Sequence, residues 1–166
     1  MPIKNCDIFE LATLVGQELK NRGLILVTAE SCTGGGVAQA ITEIAGASAW
    51  FDCGFVTYSN ASKIALLNVP ADVLEQHGAV SNETAAAMCA GALHNSLATV
   101  ALSTTGIAGP DGGVPGKPVG TIYFGWIFGD VRQVERMLFS GDRRAIREQT
   151  VQHALRGIIK LLARTK

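Results

Sequence analysis

Apolar residues recur every three or four positions through Ile8, Leu11, Ala12, Val15 and Leu19. That period predicts an amphipathic helix ended by Arg22-Gly23. Next, 24-LILVTA-29 is an unbroken apolar run of strand length, as expected of a strand buried on both faces. Helical spacing resumes from Thr33 to Ala45 through Val37, Ala40, Ile41 and Ile44. A second strand is predicted over 51–59, then a short helix over 60–69 that Pro70 closes. Ser81 reads as the N-cap of an alanine-rich helix, 82–97, with Cys89, Leu93 and Leu97 on its inner side. Strands follow over 98–106, 119–128 and 131–140, and Asp142 caps a final helix whose stripe is Ile146, Val151, Ala154, Leu155, Ile158 and Leu162. Strands interleaved with helices predict α/β, one sheet covered on both faces. The turn at Gly129-Asp130 makes the last two strands an antiparallel hairpin, so the sheet is expected to be mixed.

Composition narrows the class. The 166 residues are 48% hydrophobic and 17% charged, which suits one folded domain over residues 1–166 and argues against disorder. No apolar run reaches the roughly 18 residues that a membrane span requires. The first fourteen residues, MPIKNCDIFELATL, read as an acid-bearing amphipathic helix and not as a signal peptide. Cys6, Cys32, Cys53 and Cys89 form no paired spacing, so neither a metal site nor a disulfide framework is suggested, and a cytoplasmic home is expected. Net charge is zero, but residues 131–166 hold nine Lys/Arg against three Asp/Glu. That tail carries a single aromatic, Phe139, where a nucleic-acid surface would interleave several, so a solvated basic helix is the simpler reading. A homodimer suits a small α/β domain, though nothing in the sequence derives one.

Chemistry is expected at the carboxyl ends of the strands. Familiar nucleotide signatures fail there: Gly112 to Lys117 lacks P-loop spacing, and the glycines at 34–36 do not complete a dinucleotide fingerprint. What remains is a serine-hydrolase constellation. Ser31 lies where a strand turns into a helix, and Gly34 to Gly36 would let a ligand approach the backbone. Amides at that helix start would hold an oxyanion. Lys63, in the first turn of its helix and partly desolvated, is a candidate base, with Tyr58 placed to relay or orient the proton. Cys32 competes as nucleophile but has no histidine close in sequence, and packs more naturally as a small apolar side chain. Glu30 would anchor a ligand hydroxyl or the Ser31 loop, or cap a nearby amide. The loop 108–120 holds five glycines and three of the five prolines, the composition of a rigid functional loop or of a stiff connector. Arg143, Arg144 and Arg147 crowd the start of the final helix, where the dipole favours acids. A bound anion or local salt bridges would each account for them.

The segments TAESCTGG (28–35), FVTYSNASK (55–63), HGAVS (77–81), TGIAGPDGG (105–113), KPVGT (117–121) and FSGDR (139–143) resemble the CinA C-terminal domain family, over roughly residues 8–162. The resemblance implies a three-layer α/β/α sandwich. It also implies hydrolysis of nicotinamide mononucleotide to nicotinate mononucleotide and ammonia, a pyridine-nucleotide salvage step, with no cofactor and no metal. Carried over, Ser31 is the implied nucleophile, assisted by Tyr58 and Lys63. Thr105, Gly106 and the 108–113 loop, Ala108 and Gly109 within it, are the implied substrate-binding elements, and Glu30, Thr33, Gly34, Gly35 and Arg143 are expected to join them, Arg143 for the phosphate. No separate N-terminal domain precedes the matching segment, which favours a free-standing amidase. Gly36 stands where relatives often carry a bulkier residue, which would loosen the pocket rim. A non-catalytic nucleotide-binding module of the same fold is the alternative.

Overall fold

A computed structural model describes residues 6–165. Helix α1 (Ile8–Asn21) opens on a capping box: Asp7 Oδ1 accepts from the Glu10 amide, and Glu10 Oε2 accepts from the Asp7 amide, at 2.8 and 2.9 Å. Such caps each contribute on the order of 1 kcal/mol. The first five residues, which the sequence reading placed in this helix, lie outside the described residues.

Strand β1 (Leu26–Glu30) leads to α2 (Gly36–Thr42), a short 3₁₀ turn (Ala47–Ala49) and β2 (Phe51–Val56). Helices α3 (Asn60–Leu67), α4 (Ala71–His77) and α5 (Asn82–His94) follow, then β3 (Val100–Gly106), β4 (Thr121–Phe128), β5 (Val131–Leu138) and α6 (Arg143–Arg164). The sheet order is β2-β1-β3-β4-β5. β1 is parallel to both β2 and β3, whereas β3, β4 and β5 run antiparallel. Helices α1, α2 and α6 pack on one face against Leu26, Leu102, Phe124 and Trp126; the other face buries Val27, Ala29, Ala101 and Ile127 with residues of α3 to α5. The result is the expected three-layer α/β/α sandwich with a mixed sheet. No helix among the described residues is long and apolar enough to cross a membrane.

Helix α4 is not among the elements the sequence predicts, because Pro70 marks the end of the preceding helix. Proline closes α3 and equally well precedes the first turn of the next helix, and α4 buries only Leu74. The sequence also predicts β2 as far as residue 59. Pairing stops at Val56, because Ser59 turns outward to cap α3 by accepting from the Ser62 amide. That early exit leaves the carbonyls of Thr57 and Tyr58 outside the sheet, available to a side chain. Gly91 lets α3 lie directly on α5, since a Cβ there would collide with the Leu67 carbonyl. This contact seats α3, and Lys63 with it, on α5.

Candidate active site

The β1–α2 turn is built around Glu30. Its carboxylate is completely buried and accepts from Thr33 Oγ1 at 2.6 Å and from the amides of Gly35, Val37 and Ala38 at 3.1, 3.0 and 2.8 Å. Gly35 at the helix cap offers no side chain, so this acid caps α2 from five residues away and meets the positive end of its dipole. Of the roles expected of Glu30 the structure takes the amide cap, and one further expectation is corrected. Glu30 does not face a ligand, because its oxygens are already occupied. The amides at the start of α2 are not free for an oxyanion, because Glu30 takes them. Within the stretch Ser31–Gly35, the amides of Cys32 and Thr33, directly after Ser31, donate to no other residue among those described.

The glycines also serve the turn more than they clear space. Gly34 and Gly35 have φ of 60° and 95°, left-handed values at which a side chain is strained. The missing side chain of Gly36 faces Val151 on α6, where a Cβ would lie 3.2 Å from Cγ2. It therefore admits α6 close to α2 and does not loosen the pocket rim. Thr33 is likewise buried, its hydroxyl shared between Glu30 and Thr104 Oγ1, so it is not presented to a ligand.

Ser31 is 8% exposed, and its amide donates to the Thr104 carbonyl at 2.9 Å. Lys63 is 1% exposed. Its Nζ lies 3.1 Å from Ser31 Oγ, 2.9 Å from the Thr57 carbonyl and 3.3 Å from the Tyr58 carbonyl. Burial away from water lowers its pKa from the ordinary lysine value of 10.5. The contact with Ser31 is direct. The Tyr58 hydroxyl accepts from Arg143 at 3.1 Å, and its ring is largely exposed. Burial acts oppositely on Cys32, whose thiol is pushed up to about 12, so it stays protonated near neutral pH.

A cavity of about 240 Å³ is reached through the neighbouring residues Cys32 and Tyr58, with Ser31 and Lys63 themselves outside its lining, and is completed by Gly106, Ile107, Ala108, Gly109, Asp111, Gly112 and Arg143. Gly106, Ala108, Gly109 and Arg143 are thus brought together on one cavity wall. Thr105 does not: its hydroxyl is spent on the Ala79 carbonyl at 2.7 Å. Arg143 donates to the Gly109 carbonyl at 2.7 Å as well as to Tyr58, whereas Arg147 turns away and donates to the Thr33 carbonyl at 2.9 Å. Neither makes an ion pair among the described residues; Arg144 is the one that pairs, with Glu148. A larger cavity of about 660 Å³, between α1, α2 and α6, includes none of Ser31, Tyr58 or Lys63. Sequence reasoning missed the carbonyls of Thr57 and Thr104, because main-chain acceptors leave no mark on residue type.

Known proteins resemble this chain along nearly its whole length. A Pseudomonas putida protein named nicotinamide-nucleotide amidohydrolase PncC is 51% identical over 154 residues, 93% of this chain and 96% of that protein. The protein of the same name from Escherichia coli K12 is 50% identical over 150 residues, 90% of this chain and 91% of its own. The crystal structure of a competence damage-inducible protein A from Klebsiella pneumoniae superposes with a TM-score of 0.94 at 38% identity, covering 97% of this chain and 100% of that one. Residues 8–162 match the CinA C-terminal domain. The chain belongs to the CinA C-terminal domain family.

Proposed function

We propose that this chain is a nicotinamide-nucleotide amidohydrolase that converts nicotinamide mononucleotide and water to nicotinate mononucleotide and ammonia, with Ser31 as nucleophile and Lys63 as its base. The observation that carries the proposal is the partner set of Lys63 Nζ: two carbonyls, which only accept, and the Ser31 hydroxyl, which can also give up a proton. A neutral amine in this position donates its two hydrogens to Thr57 and Tyr58 and turns its lone pair toward Ser31 Oγ. The lowered pKa makes that neutral form accessible.

Ser31 Oγ attacks the carboxamide carbon as its proton passes to Lys63. The tetrahedral oxyanion is held by the amides of Cys32 and Thr33, the unspent donors next to the nucleophile. Collapse breaks the C–N bond, and the Lys63 ammonium returns the proton to the departing nitrogen. Water then cleaves the ester and restores Ser31. Tyr58 orients Arg143 and is not needed as a relay. Close relatives named for this activity match along almost the whole chain, which supports the same substrate class here.

Arg143 is the phosphate partner in this reading. Its guanidinium lines the cavity and is held by one carbonyl and one phenol, so its charge is not neutralised by an acid. The test is ammonia release from nicotinamide mononucleotide by the purified protein. Binding without turnover would refute the amidase and leave a binding module. For the phosphate, Arg143→Ala should raise KM for the mononucleotide about tenfold more than for the dephosphorylated riboside; equal losses would refute the assignment.

A further inference from the structure

The β3–β4 loop, residues 107–120, supplies one wall of the cavity but contains no helix or strand. Its base is closed by main-chain bonds from Gly120 to Ile107 and from Ile107 to Thr121, at 2.8 and 2.9 Å. Its tip is a turn in which Val114 and Lys117 exchange amide-to-carbonyl bonds at 3.0 and 2.9 Å. Between base and tip, cationic side chains bind carbonyls. Arg143 reaches Gly109 from α6, and Arg136 reaches Gly116 from β5 at 2.6 Å. Lys117 works in the opposite sense: it leaves the loop and donates to the Val80 carbonyl at 2.7 Å and the His77 carbonyl at 3.3 Å. Its Nζ also lies 5.9 Å from the centroid of the Tyr123 ring.

The segment it grips, 77–80, is itself part of the site's frame. The Ala79 carbonyl accepts from Thr105, next to Gly106 at the cavity, and the Gly78 carbonyl accepts from Ser81 and Thr84 at the start of α5. One ammonium therefore ties the far end of the Gly/Pro loop to the turn that also anchors the end of β3. Lys117 is partly buried and makes no ion pair among the described residues, so these contacts to carbonyls define its place.

We infer that Lys117 is a positioning residue for the ligand cavity: by cross-linking the β3–β4 loop to residues 77–80 it holds Gly109, Asp111 and Gly112 at the spacing from Arg143 that a bound mononucleotide requires. The inference rests on the amidase reading for its kinetic consequence, and its contacts stand apart from Ser31 and Lys63. It acts on binding and leaves the proton transfer alone.

The test compares wild type, Lys117→Met and Lys117→Arg on nicotinamide mononucleotide. Lys117→Met should raise KM about tenfold or more, the share of a charge-assisted hydrogen bond that reaches the ligand, with kcat within about threefold. Lys117→Arg, which can donate to both carbonyls, should recover most of that loss. Hydrogen exchange without ligand should quicken in 77–81 and 108–117 together in Lys117→Met, with α1 unchanged. A lower melting temperature with wild-type KM would overturn the inference and leave a purely stabilising contact. Should Lys117→Met fail to fold, Lys117→Gln, uncharged but able to donate to one carbonyl, takes its place under the same criteria. If the wild type releases no ammonia, the amidase reading fails alone. Calorimetric affinity for the mononucleotide then decides: about tenfold weaker binding in the variant supports the inference, and equal or absent binding overturns it.

Discussion

Two charged side chains are buried at neighbouring points of this molecule, and they are buried in opposite ways. Glu30 is completely enclosed, and each of its close partners is a donor: the Gly35 amide, two α2 amides and the Thr33 hydroxyl. An acceptor whose oxygens are held by fixed donors anchors the turn, so Glu30 is framework. Lys63 is 1% exposed, yet no carboxylate among the described residues pairs with it, and one of its three partners is a hydroxyl able to surrender a proton. A cation desolvated without a counter-ion is driven toward its neutral form, and the structure lowers its pKa accordingly. The contrast separates a buried charge that builds the site from one that works in it.

Substituting each residue should break the contrast from its own side. The largest effect is expected from Lys63→Met, which should lower kcat about 10²–10⁴-fold, the usual range for loss of a general base. Because the neutral amine is the active form, wild-type kcat/KM should rise with pH along a limb whose midpoint lies below 10.5, and the variant should lack that limb. A limb retained in Lys63→Met would assign it to another group. The same shift has a consequence for folding. The native state sheds the Lys63 proton before the unfolded chain does. Wild-type stability relative to Lys63→Met should therefore rise with pH between the lowered pKa and 10.5.

Glu30→Gln comes next and should show the reverse profile. Replacing one carboxylate oxygen by an NH₂ sets donor against donor at the start of α2. The expected cost is about 2–4 kcal/mol of stability, read by denaturant unfolding. Unchanged stability would mean that α2 does not depend on this cap. The smallest effect is expected from Cys32→Ala. With its thiol held near 12 by burial, Cys32 should be dispensable to within about threefold in kcat, and iodoacetamide should not inactivate the wild type near neutral pH. A drop of several hundredfold would move the nucleophile one residue along.

Much of this arrangement was legible in the sequence, for identifiable reasons. The continuous run through β1 and the helical stripe of α6 follow from burial on both faces of one sheet. The pairing of Ser31 with Lys63 could be read because both stand where chain direction changes, at the end of β1 and the start of α3. For Glu30 the sequence offered the amide cap beside a ligand contact without deciding between them, and the roles of Thr33 and Thr105 were not legible. Each carries a polar group of the kind that binds ligands, and only the fold shows that those groups are spent on the turn, on Thr104 and on Ala79. The division between Arg143 and Arg147 was hidden for a related reason. Both sit on one side of the first turns of α6, but the β1–α2 turn captures Arg147, and the cavity keeps Arg143.

The central claim, that Ser31 is the atom-bearing partner of a neutral Lys63, is tested most directly by rapid acid quenching during turnover of nicotinamide mononucleotide, followed by peptide mass mapping. The account predicts an acyl adduct on Ser31, in the peptide that also contains Cys32, with fragmentation placing it on the serine and none formed in Ser31→Ala. An adduct on Cys32, or steady turnover by Ser31→Ala, would contradict it.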